Sequence, residues 1–156
     1  MNENDEQLKS EVLAWWARIQ HNPGGLSRLK HQSDILGIEG VECFYDLASR
    51  IPGVDIDVLA AIAMAVSHIE VNSKDSLAHN MGRKKNGREA VSEIRMNRLI
   101  ELTLPELSRE LIRIMPLVDN TANICKLSVD LKYWDSEKQY SKKQWLNDYY
   151  LANGKD

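Results

Sequence analysis

Few side chains in this chain are spaced for covalent chemistry. The four histidines, His21, His31, His68 and His79, form neither an HExxH pair nor any other paired ligand spacing, so no metal centre is expected. His68, near the end of an apolar stretch with no second ligand three or four residues on, reads as a structural histidine with its hydrogen bonds satisfied. Gly24-Gly25 and Gly82 are not followed by the Lys-Ser/Thr of a phosphate-binding loop. The acidic pairs Asp55/Asp57 and Glu39/Glu42 fall at turns or helix starts, where capping accounts for them better than acid–base catalysis. Cys43 and Cys125 are far apart without CxxC spacing and read as buried thiols of a reducing cytosol. No catalytic residue, metal ligand, cofactor or small-molecule substrate is assigned, and the expected protein is not an enzyme.

What remains is a basic series. Arg83, Lys84, Lys85, Arg88, Arg95, Arg98, Arg109 and Arg113 stand against five acidic residues in the same stretch. On a loop and neighbouring helices they could line a groove that follows a phosphate backbone, with guanidinium forks on the phosphate oxygens. The competing reading is a solvated helix face, part-neutralised by Glu101, Glu106 and Glu110 through i,i+3 and i,i+4 pairs. The whole chain carries −3, yet residues 1–80 hold 6 Lys/Arg against 12 Asp/Glu and residues 81–156 hold 14 against 11. That asymmetry fits either a phosphate-facing second half or two lobes that attract each other.

The elements that must position these residues read as helices. From Asp5 to Gln20, Leu8, Val12, Trp15, Trp16 and Ile19 recur at three- and four-residue spacing, and the stretch His21-Asn22-Pro23-Gly24-Gly25 stops that helix. Packing accounts for the adjacent tryptophans, with a docking surface as the alternative. Leu26 to His31 is a short helical turn with Arg28, Lys30 and His31; Val41 to Ser49 is another helix, broken at Ile51-Pro52-Gly53. Asp55 or Asp57 caps a long apolar helix through about Glu70, the expected core of the first lobe. Val71 to Arg88 reads as loop-rich. Ser92 caps a helix with an apolar stripe of Met96, Leu99, Ile100 and Leu104, while Arg95 and Arg98 occupy another face. Pro105 opens the next helix, which Pro116 to Asn120 closes; another runs from Thr121 to Trp134. After a polar turn, Ser141 caps a last helix that ends at Asn153-Gly154. Period-2 alternation is absent, so the expectation is an all-α fold of two small helical bundles packed together, residues 1–80 and 81–156.

At 156 residues, 43% hydrophobic and 28% charged, the chain has the composition of a soluble globular protein. The longest apolar run, Val58 to Val66, falls short of the roughly 18–20 residues of a membrane span. Met1 to Glu6 lacks the basic start and apolar core of a secretory signal, so a cytoplasmic protein is expected.

The order Ser76-Leu77-Ala78, Met81-Gly82, then Ser92-Glu93-x-Arg95-x-x-Arg98-Leu99-Ile100 resembles the core signature of the small subunit of the type I-E CRISPR Cascade complex, the CasB family. Trp15 and Trp16 followed by a small basic segment, and the closing Trp145-Leu146-Asn147-Asp148-Tyr149-Tyr150, are similar to that family's two ends. The resemblance implies an all-helical, non-catalytic protein that sits as a pair along the complex with the other Cascade subunits, guide RNA and target DNA. Its role would be to hold the opened target through backbone contacts, since the guide RNA reads the sequence. The family's early basic pair looks like Lys30 and His31, with Arg28 nearby. Its Ser-Glu-x-Arg arginine looks like Arg95, its next helix's basic position like Arg113, and its basic run before the closing tryptophan like Lys142 and Lys143. Together with the series read above, the candidate nucleic-acid contacts are Arg28, Lys30, Arg83, Lys84, Lys85, Arg88, Arg95, Arg98, Arg113, Lys142 and Lys143. His31 departs from the family's usual arginine, and Glu101 falls where some relatives are basic. Two other readings stand beside this one: a helical adaptor that docks proteins without touching nucleic acid, and a helix-turn-helix regulator. The helices joined at Leu104-Pro105 are too apolar to suit the latter.

Overall fold

A computed structural model describes residues 3–154, so Met1 and Asn2 of the acidic first stretch lie outside it. Among the described residues the chain is all-α apart from four two-residue strands. α1 (Glu3–Ile19) buries Leu8, Val12, Trp15 and Ile19 on one stripe. Each indole N–H on it finds a backbone acceptor, Trp15 at Cys43 O (2.9 Å) and Trp16 at Ile69 O (2.8 Å). These bonds fix α1 against α4 (Phe44–Ala48) and the exit of α5 (Ile56–Val66).

α5 is the helix around which both halves assemble. Its residues Leu59 to Val66 are all buried, and four of those eight are alanines, which let neighbours approach from several sides. α3 (Ile35–Glu39) packs against it from the first half, and α8 (Leu104–Ile114) and α9 (Ile124–Lys132) from the second. Ser108 Oγ–H on α8 donates to the Ala61 carbonyl (3.0 Å) at a site without solvent, so the contact needs a small polar residue there. α9 in turn packs on α1. The parallel pairing of β1 (Val71–Asn72) with β4 (Thr121–Ala122) adds a further tie between the halves. The expected boundary between residues 80 and 81 falls inside α6 (Leu77–Gly82), and one continuous apolar cluster holds residues from both sides of it.

Side-chain caps account for where most helices start. Asn22, Asp34, Asp55, Ser76, Ser92 and Asn123 each accept from a backbone N–H three residues on. The first helix stops before His21 as expected, but the next begins earlier than Leu26: Pro23-Gly24-Gly25 opens α2 (Pro23–Lys30), because proline's missing N–H costs nothing in a first turn. Ser141 corrects another expectation, being buried inside α10 (Tyr140–Ala152), whose capping residue is the left-handed Gln139. The expected loop from Val71 to Arg88 contains α6, with Leu77, Ala78, Met81 and Gly82 packed on α10, and then a hairpin of β2 (Lys84–Lys85) and β3 (Arg88–Glu89). Asn86 and Gly87 join the two strands with φ of 54° and 82°, the primed turn that matches strand twist. Both cysteines are half-buried free thiols rather than fully buried ones.

Candidate nucleic-acid interface

The basic residues separate into a hairpin, a helix pair and two outlying positions. On the hairpin Arg83 pairs with Asp75 (2.7 Å) and Lys85 with Asp119 (3.1 Å), both solvent-exposed. Lys84 and Arg88 point into solvent with no carboxylate within ion-pair distance among the described residues. The hairpin thus carries four cations around the Asn86-Gly87 turn, two of them paired with carboxylates and two facing solvent.

The helix pair is linked by an ion pair across its groove. Ser92 Oγ accepts from Arg95 N (3.2 Å) and so starts α7 (Glu93–Ile100) one turn before its arginines. Met96 and Leu99 bury one face of α7, which leaves Arg95 and Arg98 at its edge. Arg95 donates to Glu110 Oε1 (3.2 Å) on α8, and Arg113 approaches the other oxygen of the same carboxylate (3.7 Å). Two guanidinium groups therefore share one counter-charge and are held near each other. Arg98 has no carboxylate partner among the described residues and lines the cleft between α7 and α8 beside Arg95 and Glu110.

Arg109, one turn before Arg113, donates from Nε to Ser33 O (3.0 Å). That bond brings the α2–α3 connection against the outer face of α8, three residues past Lys30. His31 closes α2 by donating from Nδ1 to Ser27 O (2.6 Å), while Arg28 lines a separate cleft of about 710 Å3 with Tyr45, Cys43 and Asp46. Burial pushes the Cys43 thiol above its ordinary pKa, with Arg28 pulling the other way. At the far end, Lys142 lies over the Trp134 ring (5.6 Å to its centre), and Trp134 Nε1–H donates to Leu102 O (2.9 Å) at the α7–α8 corner. Lys143, next to it, is exposed.

So the fold brings Arg95, Arg98 and Arg113 together and groups Arg83, Lys84, Lys85 and Arg88. Arg28, Lys30, Lys142 and Lys143 stand apart and reach the helix pair only through intervening residues. Sequence spacing named Glu110 as a neutralising residue, and its i,i+3 pair with Arg113 forms, but gave no sign of Arg95 as its second partner, because Arg95 and Glu110 meet between helices. Nor did it single out Trp134 as the seat of Lys142.

Two further titratable groups are shifted by their surroundings. His68 corrects the expectation of a satisfied side chain: its Nε2 is buried without a hydrogen-bond partner among the described residues, and burial, followed by the charge of Lys30, holds its pKa below the ordinary range. Asp130 accepts from Trp145 Nε1 (2.8 Å), and burial raises its carboxyl pKa against the opposing pull of Lys126. No group of three or more His, Cys, Asp or Glu side chains is placed to hold a metal ion among the described residues. No helix among them is long and apolar enough to cross a membrane.

Taken together, this is a small all-helical protein with a basic helix pair and a basic hairpin as its most distinctive surface. The chain matches the family model of CRISPR-associated protein Cse2 over residues 41–150 and belongs to that family. Its fold is similar to a chain in a crystal structure of Escherichia coli Cascade bound to a PAM-containing double-stranded DNA target. The two agree with a TM-score of 0.71 at 19% identity, over 94% of this chain and 96% of the other. No curated protein sequence matches the chain.

Proposed function

We propose that this protein is the non-catalytic small subunit of a type I-E CRISPR surveillance complex, acting in the cytoplasm in antiviral defence. It assembles with the other Cascade subunits, guide RNA and target DNA, and sits there as a pair. In this reading it grips nucleic-acid backbone without sequence preference and stabilises the R-loop of guide RNA and opened target. Membership of the family carries the assignment; the convergence of Arg95 and Arg113 on one carboxylate supports the backbone role. Guanidinium groups so arranged exchange a carboxylate for phosphate oxygens at little conformational cost, since their positions are already set. They carry no pattern matched to base edges, which suits a subunit whose complex reads sequence by base pairing.

The test is reversal of charge at Arg95 and Arg113 together, in complexes rebuilt with guide RNA. The expected result is intact assembly with a faster-collapsing R-loop, most clearly at raised salt. Unchanged R-loop lifetime would remove these two residues from the interface. The adaptor reading draws on the exposed Leu36, at 77% accessibility, and Tyr45, at 46%. It is favoured if complexes assemble through this protein but no nucleic acid crosslinks to it.

A further inference from the structure

α7 carries a ridge made by Ile94 and Arg98, four residues apart and so on one face of the helix, with a depression on either side. The depression toward α8, about 440 Å3, has Arg95, Arg98 and Glu110 on its polar side and Ile94, Leu99 and Leu102 on its apolar side. The other, about 360 Å3, carries the carboxylates of Glu93 and Glu101. The two sides of the ridge thus differ in charge. On the α8 side the carboxylate that lines the depression, Glu110, is already divided between Arg95 and Arg113, while Arg98 makes no ion pair among the described residues. Ile94 is 70% exposed, an apolar side chain left in solvent beside the Arg98 guanidinium, which borders both depressions.

An occupant that complements this groove must present a negative group to Arg98 and an apolar face to Ile94 and Leu102, and must avoid the Glu93–Glu101 side. A nucleotide of a single strand meets all three requirements. A base held in a duplex does not, because its faces are covered by stacking. We propose that the α7–α8 groove is a subsite for one unstacked nucleotide, its phosphate on Arg98 and Arg95 and its base laid against Ile94 and Leu102. This rests on the nucleic-acid reading above and adds to it a base contact and a direction. The strand runs along the α8 side of the ridge, and Ile94 acts as the wedge that keeps one base out of its stack. An aliphatic floor has no donor or acceptor pattern, so the contact is tolerant of sequence.

The experiment uses the assembled complex with target DNA carrying 2-aminopurine at successive single positions, a base whose fluorescence rises when it leaves its stack. The wild-type complex is expected to show one position, in one strand, with a rise that Ile94→Ser abolishes and Ile94→Met retains. Ile94→Ser should leave the salt dependence of binding unchanged. Arg98→Gln should weaken binding and flatten the plot of log affinity against log salt by about 0.7, the value of one single-strand phosphate contact. If the complex binds target normally but no position gives an Ile94-dependent signal, the subsite is wrong while the broader function stands. If Ile94→Ser instead prevents the subunit from joining the complex, the ridge is a protein contact and the proposal is overturned. Failure of the nucleic-acid reading is separately visible, as an R-loop indifferent to charge reversal at Arg95 and Arg113.

Discussion

Glu110 is the residue whose removal most sharply tests the charge arrangement. Its carboxylate lies 3.2 Å from Arg95 and 3.7 Å from Arg113, and its side chain is 30% accessible. A pair this exposed contributes about 0–1 kcal/mol to folding, so Glu110→Gln should shift thermal stability little. Its effect on binding should be larger and of opposite sign. With the competing carboxylate gone, both guanidinium groups are free for phosphate, so target affinity of the assembled complex rises and its salt dependence steepens. A salt titration of R-loop formation reads both. His68 makes a second residue-scale prediction. Burial and Lys30 hold its folded pKa below the unfolded value of about 6.5, so below that pH the unfolded chain takes up a proton that the folded chain refuses. Stability is therefore fully present above about pH 6.5 and lost as pH falls from there toward the folded pKa. Lys30→Gln should raise the His68 pKa in an NMR titration and shrink that loss, as followed by urea midpoints. Spacing in the sequence spoke correctly to capping at Ser92, where donor and acceptor are three residues apart. It was silent on the orphaned Nε2 of His68, whose surroundings come from distant parts of the chain.

At the scale of elements, two glycines in one stretch do different work. Gly82 ends α6 where that helix meets α10, and a Cβ there would collide with the Tyr149 carbonyl oxygen, which the helix backbone holds in place. Gly87 sits in open space but at φ of +82°, where only glycine is unstrained. Gly82→Ala is therefore expected to destabilise the whole fold by about 1–3 kcal/mol, the cost of overpacking a rigid contact. Gly87→Ala should cost about 1–2 kcal/mol of strain, confined to the hairpin. Global melting should fall for the first variant; for the second, faster amide exchange should appear at the β2–β3 pairs alone. α6 escaped the sequence reading because six residues among Gly, Asn and basic neighbours give too short a periodic signal, although Ser76 and the Leu77, Ala78, Met81 spacing were there to be read. The opposite error at Pro23-Gly24-Gly25 has the same origin: breaker residues mark a boundary without saying which side of it is helical. Helices with strong stripes, α1, α7 and α8, were legible because their apolar faces are set by local periodicity.

For the molecule as a whole, composition and period were enough to give an all-α chain, but they could not say which apolar faces meet. α5 carries little polar surface to orient it, and its partners α8 and α9 lie on the other side of the sequence midpoint. α1 likewise rests on α9, with buried Asp5 receiving Lys132 Nζ (2.8 Å) and the Tyr133 hydroxyl (2.9 Å). Separating residues 1–80 from 81–156 would cut α6 and strip α5 of two of its covering helices. It would uncover Leu107, Leu111, Ile124 and Leu131, each buried in the intact chain and each contributing about 1.5–3 kcal/mol by that burial. That loss exceeds the margin by which a small domain is stable. Expressed alone, each half should therefore lack cooperative melting and bind hydrophobic dyes; mixed, they should recover helical circular dichroism and a single transition. If residues 1–80 alone melt cooperatively with protected α5 amides, the first half is an independent folding unit and its contacts with α8 and α9 are docking between finished parts. The distinction bears on the proposed function, since a continuous core transmits a load on α7 and α8 to α1, whereas two separately stable parts would let the basic helix pair move with the strand it is proposed to hold.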